Sequence, residues 1–359
     1  MVAPLDWGLG HATRCIPLIS ELMVQGFDVI IAADGQVKLL LEQEFPKLAF
    51  ILLPGYKISY SRSKYWLPLK IILQVPKILI SIYQEHEWLK KIIKLHSIDA
   101  VISDSRFGLY NPSVPSVYIT HQLLIKTGRR FTERITQKIH YRFIKKFTQC
   151  WVPDFEGQIN IAGELSHPEL VPSNIRYIGC VSRFEKKGGL GKLYDLLIII
   201  SGPEPQRSIF EGLLFEQLRG YNGNVLFVRG LPELSQTEIK NHPHYPDQNK
   251  NITVKNHLDA AALNLAMQKA KLIISRSGYT TVMDLVKLQQ KAILVPTPGQ
   301  TEQEYLAKYL LQQKIFYSVP QDFFLLNDVI EKANTFPCFL PSFNMENYKT
   351  HLSQFVQSL

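Results

Sequence analysis

Nine short apolar runs, rich in β-branched residues, recur along this chain with helix-length segments between most of them. In the first half they read DVIIAAD (28–34), LAFILLP (48–54), DAVISD (99–104), SVYIT (116–120) and QCWVPD (149–154). The second half continues with LLIIIS (196–201), NVLFVRG (224–230), KLIIS (271–275) and AILVPTP (292–298). These runs are apolar throughout and do not alternate, so both faces of each strand must be covered, as in a parallel sheet between two helical layers. At 359 residues the chain exceeds one ordinary core and fits two domains. The expected fold is therefore α/β, with two doubly wound parallel sheets. A stretch rich in Pro, Gly and charge from Leu165 to Gly191 is the expected connection.

Hydrophobic residues make up 46% of the chain and charged ones 20%, a balance that argues against large-scale disorder. Cys15, Cys150, Cys180 and Cys338 form no CxxC pair, which argues for a reducing compartment and against a zinc site. No basic-then-apolar leader follows Met1, so a cytoplasmic protein is expected. The net charge of +9 is unevenly spread: between Arg62 and Lys146, sixteen Lys/Arg face five Asp/Glu. Positive charge clustered in this way attracts phosphate, on nucleic acid or on anionic lipid.

Within that region RFTERITQKIHYRFIKKF (130–147) repeats basic residues at 130, 134, 138, 142 and 146 beside apolar ones at 131, 135, 139, 143 and 147. On a helix this spacing makes a basic stripe next to an apolar one. A second basic amphipathic segment covers 64–96, with Tyr65 and Trp66 at its start, and Lys70, Pro76 and Lys77 interrupt it too often for a bilayer span. Such apolar sides either pack on the sheet or dock on an anionic leaflet, which would make the protein peripheral on the inner face of the plasma membrane. No recognisable nucleic-acid module accompanies the charge, so nucleic acid is not an expected partner.

Four strand-to-helix junctions carry chemistry-bearing side chains. In DWGLGHATR (6–14), Gly8 and Gly10 let the backbone turn tightly at a helix start. The loop lacks the third glycine of a dinucleotide fingerprint, and Asp34 is the one acidic residue near the end of the second strand, so an NAD site is not expected. His11 in this loop is a residue type that exchanges a proton near neutral pH and is the favoured catalytic base, with Asp6 and the Asp104 of ISDSR as alternatives. IISGPEPQRS (199–208) turns through Gly202 into the helix SIFEGLLFEQL, where the N–H groups at Gln206 and Arg207, with the Arg207 charge, suit a diphosphate. KLIISRSGYTTVMDLVKL (271–288) leaves a strand through Ser275, Arg276, Ser277 and Gly278, just where Tyr279 and Thr280 open a helix. Unpaired N–H groups there bind an oxygen-rich anion, and Asp284 one turn on can accept two hydroxyl hydrogens from a ribose. VPTPGQTEQEYLAKYL (295–310) adds Gln300, Gln303 and Glu304, and three such junctions in one domain favour one ligand.

ISRSGYTTVMDL followed by ILVPTPGQTEQEYLA resembles the nucleotide-sugar-binding half of MurG-like glycosyltransferases of family 28, which have the GT-B fold. DWGLGHATR is similar to the family's N-terminal glycine loop, and NHLDAAALNLAMQKAKLIISRSG to its base-reading segment. The resemblance implies two Rossmann-like domains facing a cleft: an acceptor-binding domain at 1–170, a nucleotide-sugar-binding domain at 171–335, and a C-terminal helix in 336–359 packing back on the first. It implies that Asp284 binds the ribose, Ser277 and Gly278 the diphosphate, main chain at Leu258 the base, and Gln303 the donor sugar. Gly8, Gly10, Arg14, Arg106 and His121 would touch the acceptor. The chain departs from the family pattern at Leu9, at SGPEPQR in place of a Gly-Gly-Ser turn, and at Glu304, where the family has a second Gln.

No D-x-D pair of metal-binding carboxylates occurs, so leaving-group charge would fall to helix N-termini and to Arg207 or Arg276, without a metal. The E-x7-E spacing of retaining enzymes occurs only at Glu156 and Glu164, outside the donor half, which favours inversion by one base. The expectation is thus a metal-independent inverting transferase with no cofactor beyond a UDP-sugar co-substrate, moving N-acetylglucosamine to a lipid-linked or cell-envelope glycan. A UDP-sugar epimerase of the same fold and a non-enzymatic nucleic-acid-binding protein are the rival readings.

Overall fold

The computed structural model of the chain describes every residue except Trp7, 57–66 and 232–250, and 67–75 by backbone alone. Tyr65 and Trp66 therefore lie outside the described residues, as does the side chain of Lys70. The chain divides into two units, Met1–Arg183 with Phe343–Leu359, and Phe184–Ser342.

In the first unit β1 (Val2–Pro4), β2 (Ile30–Ala33), β3 (Ala49–Leu52), β4 (Val101–Asp104), β5 (Ser116–Ile119), β6 (Gln149–Val152) and β7 (Ile175–Tyr177) form one sheet. Its order is β3-β2-β1-β4-β5-β6-β7 and every pairing is parallel. The chain winds outward from β1 to one edge, then returns to β4 on the other side. The switch point between β1 and β4 is where open α/β sheets bind ligands. α1 (Leu9–Val24) starts there, entered through Gly8 at φ 114°, a backbone angle that side chains disfavour. Its buried face, Cys15, Leu18, Ile19 and Leu22, packs with Val2, Ile31 and Val117 of the sheet. Each fully buried aliphatic side chain of this kind stabilises the fold by about 1.5–3 kcal/mol.

Residues 171–183 belong to the first unit, because β7 pairs with β6 and so carries the division from 170 to Arg183. Residues 336–342 stay with the second unit, where the Cys338 thiol donates to the Ile315 carbonyl at 2.8 Å. α10 (Asn347–Gln357) returns to the first unit: Tyr348, Leu352 and Phe355 join the α1 core, and Phe355 meets Trp151 edge-on at 5.6 Å.

α2 (Gly35–Glu44) is capped by Asp34, and α3 (Leu67–His96) runs unbroken through Pro76, which removes one backbone donor without ending the helix. α4 (Arg130–Ile144) turns Glu133, His140 and Ile144 inward, and burial pushes the His140 ring down to about 4. Of its predicted apolar stripe Phe147 is buried, whereas Phe131, Ile135 and Ile139 face solvent. No helix among the described residues is long and apolar enough to cross a membrane.

The second unit holds β8 (Tyr194–Ile199), β9 (Val225–Val228), β10 (Ile252–Lys255), β11 (Ala270–Ser275), β12 (Ala292–Leu294) and β13 (Tyr317–Ser318), all parallel in the order β10-β9-β8-β11-β12-β13. Its switch point lies between β8 and β11. α5 (Gln206–Leu218) follows β8, α6 (Ala260–Lys269) precedes β11 and α7 (Tyr279–Leu288) leaves it. α8 (Thr301–Gln312) and α9 (Leu326–Thr335) complete the layers. Phe210, Leu214, Phe215 and Leu218 of α5 pack on β8 and β9, with Phe215 against Phe227 at 4.5 Å.

Candidate active site

At the switch point of the first unit, His11 in the first turn of α1 lies 3.1 Å through Nδ1 from Oδ1 of Asp104, the last residue of β4. Arg14 Nη2, which only donates, lies 3.1 Å from the same Nδ1, so Asp104 and Arg14 compete for it; in the tautomer whose Nδ1–H donates to Asp104, Nε2 keeps its lone pair. His11 is one-fifth exposed, whereas Asp104 is fully buried. Arg14 donates from Nε to Asp104 Oδ2 at 3.0 Å and from Nη2 to Oδ1, and Ser105 Oγ adds a third donor at 3.0 Å. Burial alone would raise the Asp104 carboxyl, but the Arg14 guanidinium and His11 overcome it and hold it well below the usual carboxylate range. Of the three candidate bases Asp104 is thus corrected: it is a fixed anion that orients His11.

Asp6 lies against Gly55, where a Cβ would stand 1.7 Å from its Oδ2, and its Oδ1 is buried without a hydrogen-bond partner. Arg14 and Arg106, read as acceptor contacts, are engaged within the first unit. Arg14 spends its guanidinium on Asp104, on His11 Nδ1, 3.1 Å from Nη2, and on His121, whose Nδ1 accepts from Nη1 at 3.2 Å. Arg106 is fully buried and donates to the carbonyls of Pro4 at 2.9 Å, Pro54 at 3.2 Å and Leu53 at 3.4 Å, and to Glu85 Oε1 at 2.8 Å. Gly8 and Gly10 shape the start of α1, which carries no side-chain cap, and His121 follows β5 next to Arg14.

In the second unit, Gly278 opens α7 with no side-chain cap, so the backbone N–H groups of Tyr279 and Thr280 stand at the end of β11 beside the switch point. Asp284 sits half-buried on the next turn, and Leu258 half-buried in the segment before α6, which Asp259 caps through Ala262 N at 2.8 Å. Ser277 donates its hydroxyl to the Gln303 carbonyl at 2.8 Å. Gln303 accepts from Thr297 N at 2.9 Å and donates to Gln300 Oε1 at 2.5 Å, while Glu304 accepts from Gly299 N at 2.8 Å. The loop after β12 is therefore drawn tight by the side chains that the sequence suggested for the donor.

Arg276 and Arg207, both expected at the diphosphate, are engaged by the chain itself. Arg276 is 1% exposed and stacks on Phe210, 4.2 Å from the ring centroid, donating to the carbonyls of Val295 at 3.3 Å, Pro296 at 3.2 Å and Gln206 at 3.0 Å. It also reaches Gln321 Oε1 at 2.8 Å, and burial pushes the guanidinium down to about 10. Arg276 thus braces the loops from beneath. Arg207 pairs with Glu204 at 2.5 Å and Glu211 at 3.2 Å, and Glu204 also accepts from Ser208 N at 3.3 Å. The start of α5 after Gly202 is occupied by the chain's own carboxylate, whereas α7 and α8 start without a side-chain cap.

An uncharacterised glycosyltransferase of Methanosarcina acetivorans is 22% identical to this chain over 354 residues, covering 90% of this chain and 88% of that protein. The UDP-N-acetylglucosamine–N-acetylmuramyl-(pentapeptide) pyrophosphoryl-undecaprenol N-acetylglucosamine transferase of Rickettsia canadensis is 22% identical over 332 residues, covering 87% and 83%. MurG of Acinetobacter baumannii has the same fold, with a TM-score of 0.55 at 15% identity over 100% of this chain and 99% of MurG. Residues 210–355 match the glycosyltransferase family 28 C-terminal domain. This chain is a glycosyltransferase with a family 28 C-terminal domain, and it is similar to MurG. Its GT-B architecture extends to SnogD from Streptomyces nogalater, at a TM-score of 0.61 and 12% identity over 100% of this chain and 98% of SnogD.

The glycosyltransferase also carries polar residues that the sequence reading passed over. Glu85 of α3 is 4% exposed and accepts from Arg106, from Tyr56 OH at 2.7 Å and from Gly108 N at 3.2 Å. Glu211, Arg229 and Asn256 form a second buried cluster. For Arg207 the signal was available, since Glu204 and Glu211 stand three residues before and four after it, the spacing of helical ion pairs. For Arg106 it was not, because its partner is 21 residues away on a helix with no local relation to it.

Proposed function

We propose that this glycosyltransferase moves N-acetylglucosamine from its UDP-sugar to a lipid-linked or cell-envelope glycan, with inversion and without a metal ion. The observation that carries the reading is the His11–Asp104 pair at the end of β4, a single oriented base of the kind an in-line displacement needs. His11 Nε2 takes the acceptor hydroxyl's proton as that oxygen attacks the anomeric carbon. The C1–O bond to the diphosphate breaks, and UDP leaves with the bonding pair. Backbone N–H groups from Gly278 to Thr280, at the start of α7 where no side chain caps the helix, meet the developing phosphate charge, and Asp284 accepts the ribose hydroxyls. Leu258 main chain reads the uracil, and Gln300, Gln303 and Glu304 line the donor sugar. The Rickettsia relative's name, with its undecaprenol-linked substrate, supports the donor and the acceptor class.

Isothermal titration with UDP tests the donor half. Asp284→Ala should weaken UDP binding by about ten- to a hundredfold, the worth of hydrogen bonds to a charged group. Equal affinity in the variant would refute the ribose assignment.

A lipid-linked acceptor requires the enzyme to reach a membrane surface. Phe131 is 74% exposed, Ile135 43% and Ile139 46% on α4, beside the basic residues 130, 134, 138 and 142. Tyr83 and Leu95 of α3 are exposed too. These faces fit the headgroup region of an anionic leaflet. The expected result is flotation with vesicles containing phosphatidylglycerol at low salt, lost in the Phe131→Glu variant. Absence of flotation by the native chain would end the membrane proposal and leave the donor site untouched.

A further inference from the structure

Glu211, on the second turn of α5, is fully buried and receives two arginines. Arg229, the residue after β9, engages it through Nε and, at 3.1 Å, through Nη2, while Arg207 reaches it at 3.2 Å. The third arm of the Arg229 fork, Nη1, donates to Asn256 Oδ1 at 2.9 Å, and the Leu231 amide donates to the Asn256 carbonyl at 2.8 Å. One carboxylate therefore ties together the segments after β8, β9 and β10. Gly230 tightens the same knot: its φ is +71°, and a Cβ there would lie 2.3 Å from the Ile200 carbonyl oxygen.

Arg207 is shared between Glu204 and Glu211, so the two arginines face two carboxylates and the cluster offers no surplus charge to a phosphate. Nor is stability an adequate reason for it, since buried ion networks are often matched by apolar residues of the same volume. What the cluster supplies is a fixed place for residues 256–258, directly ahead of Asp259, the cap of α6.

We infer that Glu211, acting through Arg229 and Asn256, is the positioning element for nucleobase selection. This rests on the reading above in which the main chain at Leu258 meets the uracil. A main-chain contact discriminates between bases only while its carbonyl and amide stay within a few tenths of an ångström of their places, and the Arg229 fork holds this segment by its Asn256 side chain. The fork's bidentate geometry sets direction as well as distance, which lysine at 229 would not.

The test titrates the full-length enzyme with UDP, TDP, GDP and ADP, and measures KM and kcat with UDP-N-acetylglucosamine. Glu211→Gln should cut the preference for UDP over GDP by about tenfold or more, with the loss falling on KM more than on kcat. Asn256→Ala leaves the ion pairs in place and removes only the last link. It should lose base preference to a similar degree while melting within a few degrees of the native chain. A folded Asn256→Ala enzyme that keeps its full preference overturns the positioning role alone. A native enzyme that binds all four diphosphates equally overturns the uridine reading, and this inference with it.

Discussion

His11→Ala is expected to lower kcat at least about a hundredfold while UDP binds with unchanged affinity. The size follows from the geometry. A hydroxyl is a poor nucleophile until its proton has somewhere to go, and Nε2 carries a lone pair in the tautomer whose Nδ1–H donates to Asp104. Asp104 is itself pinned by Arg14 and Ser105, and Asp104 and Arg14 together fix the direction of the ring at Nδ1. Asp104→Asn should therefore depress kcat in the same direction although His11 is intact, because an amide side chain can donate to Nδ1 and favour the wrong tautomer. Steady-state turnover and UDP titration on both variants check this. If His11→Ala turns over at the native rate, the base lies elsewhere, and Asp6, with its unpartnered buried Oδ1, is next.

The interior strands could be read from sequence because each is buried on both faces, and an unbroken apolar run has few other uses in a soluble chain. The strands that escaped notice are short or peripheral. β10 alternates buried and exposed residues along Ile252–Lys255, β7 has three residues and β13 two, so none leaves a run of apolar side chains. α10 was readable as a helix, and its return to the first unit follows from Leu352 and Phe355 finding the α1 core.

The donor and catalytic loops were legible as loops, since Gly, Ser and a charged residue at the end of a buried strand stand out. The destination of each guanidinium was not. Arg14, Arg106, Arg207 and Arg276 all sit at strand ends or helix starts, where ligand-binding and structural arginines look alike in sequence. The difference lies in whether carbonyls or carboxylates from distant segments converge on the fork. The Arg276 Nη1 and Nη2 groups donate to backbone oxygens of 206, 295 and 296, and no pattern of residue types announces a carbonyl.

Arg106→Met should destabilise the first unit by about 3–5 kcal/mol, the cost of leaving a buried partner charge uncompensated. Glu85 would keep its Tyr56 and Gly108 donors but lose the cation, and the carbonyls of Leu53, Pro54 and Pro4 would lose theirs. The effect has a pH signature. Burial already pushes the Glu85 carboxyl up from its ordinary 4.5, against the pull of Arg106, Tyr56 and Gly108. A carboxyl raised by folding contributes stability that is complete below its unfolded value and is lost as pH rises through its folded one. Without Arg106 the folded value climbs further, so the variant's deficit should be greatest near neutral pH and shrink on acidification towards about 4.5 as Glu85 takes up a proton. Glu85→Gln in the same background should recover much of the loss near neutral pH, since it removes the stranded charge and keeps the shape. All four tryptophans, at 7, 66, 88 and 151, lie in the first unit, so urea unfolding followed by their fluorescence reports this unit selectively. A deficit that stays constant with pH, or a double variant whose losses simply add, would show that Arg106 holds the carbonyls alone and that its pairing with Glu85 is incidental.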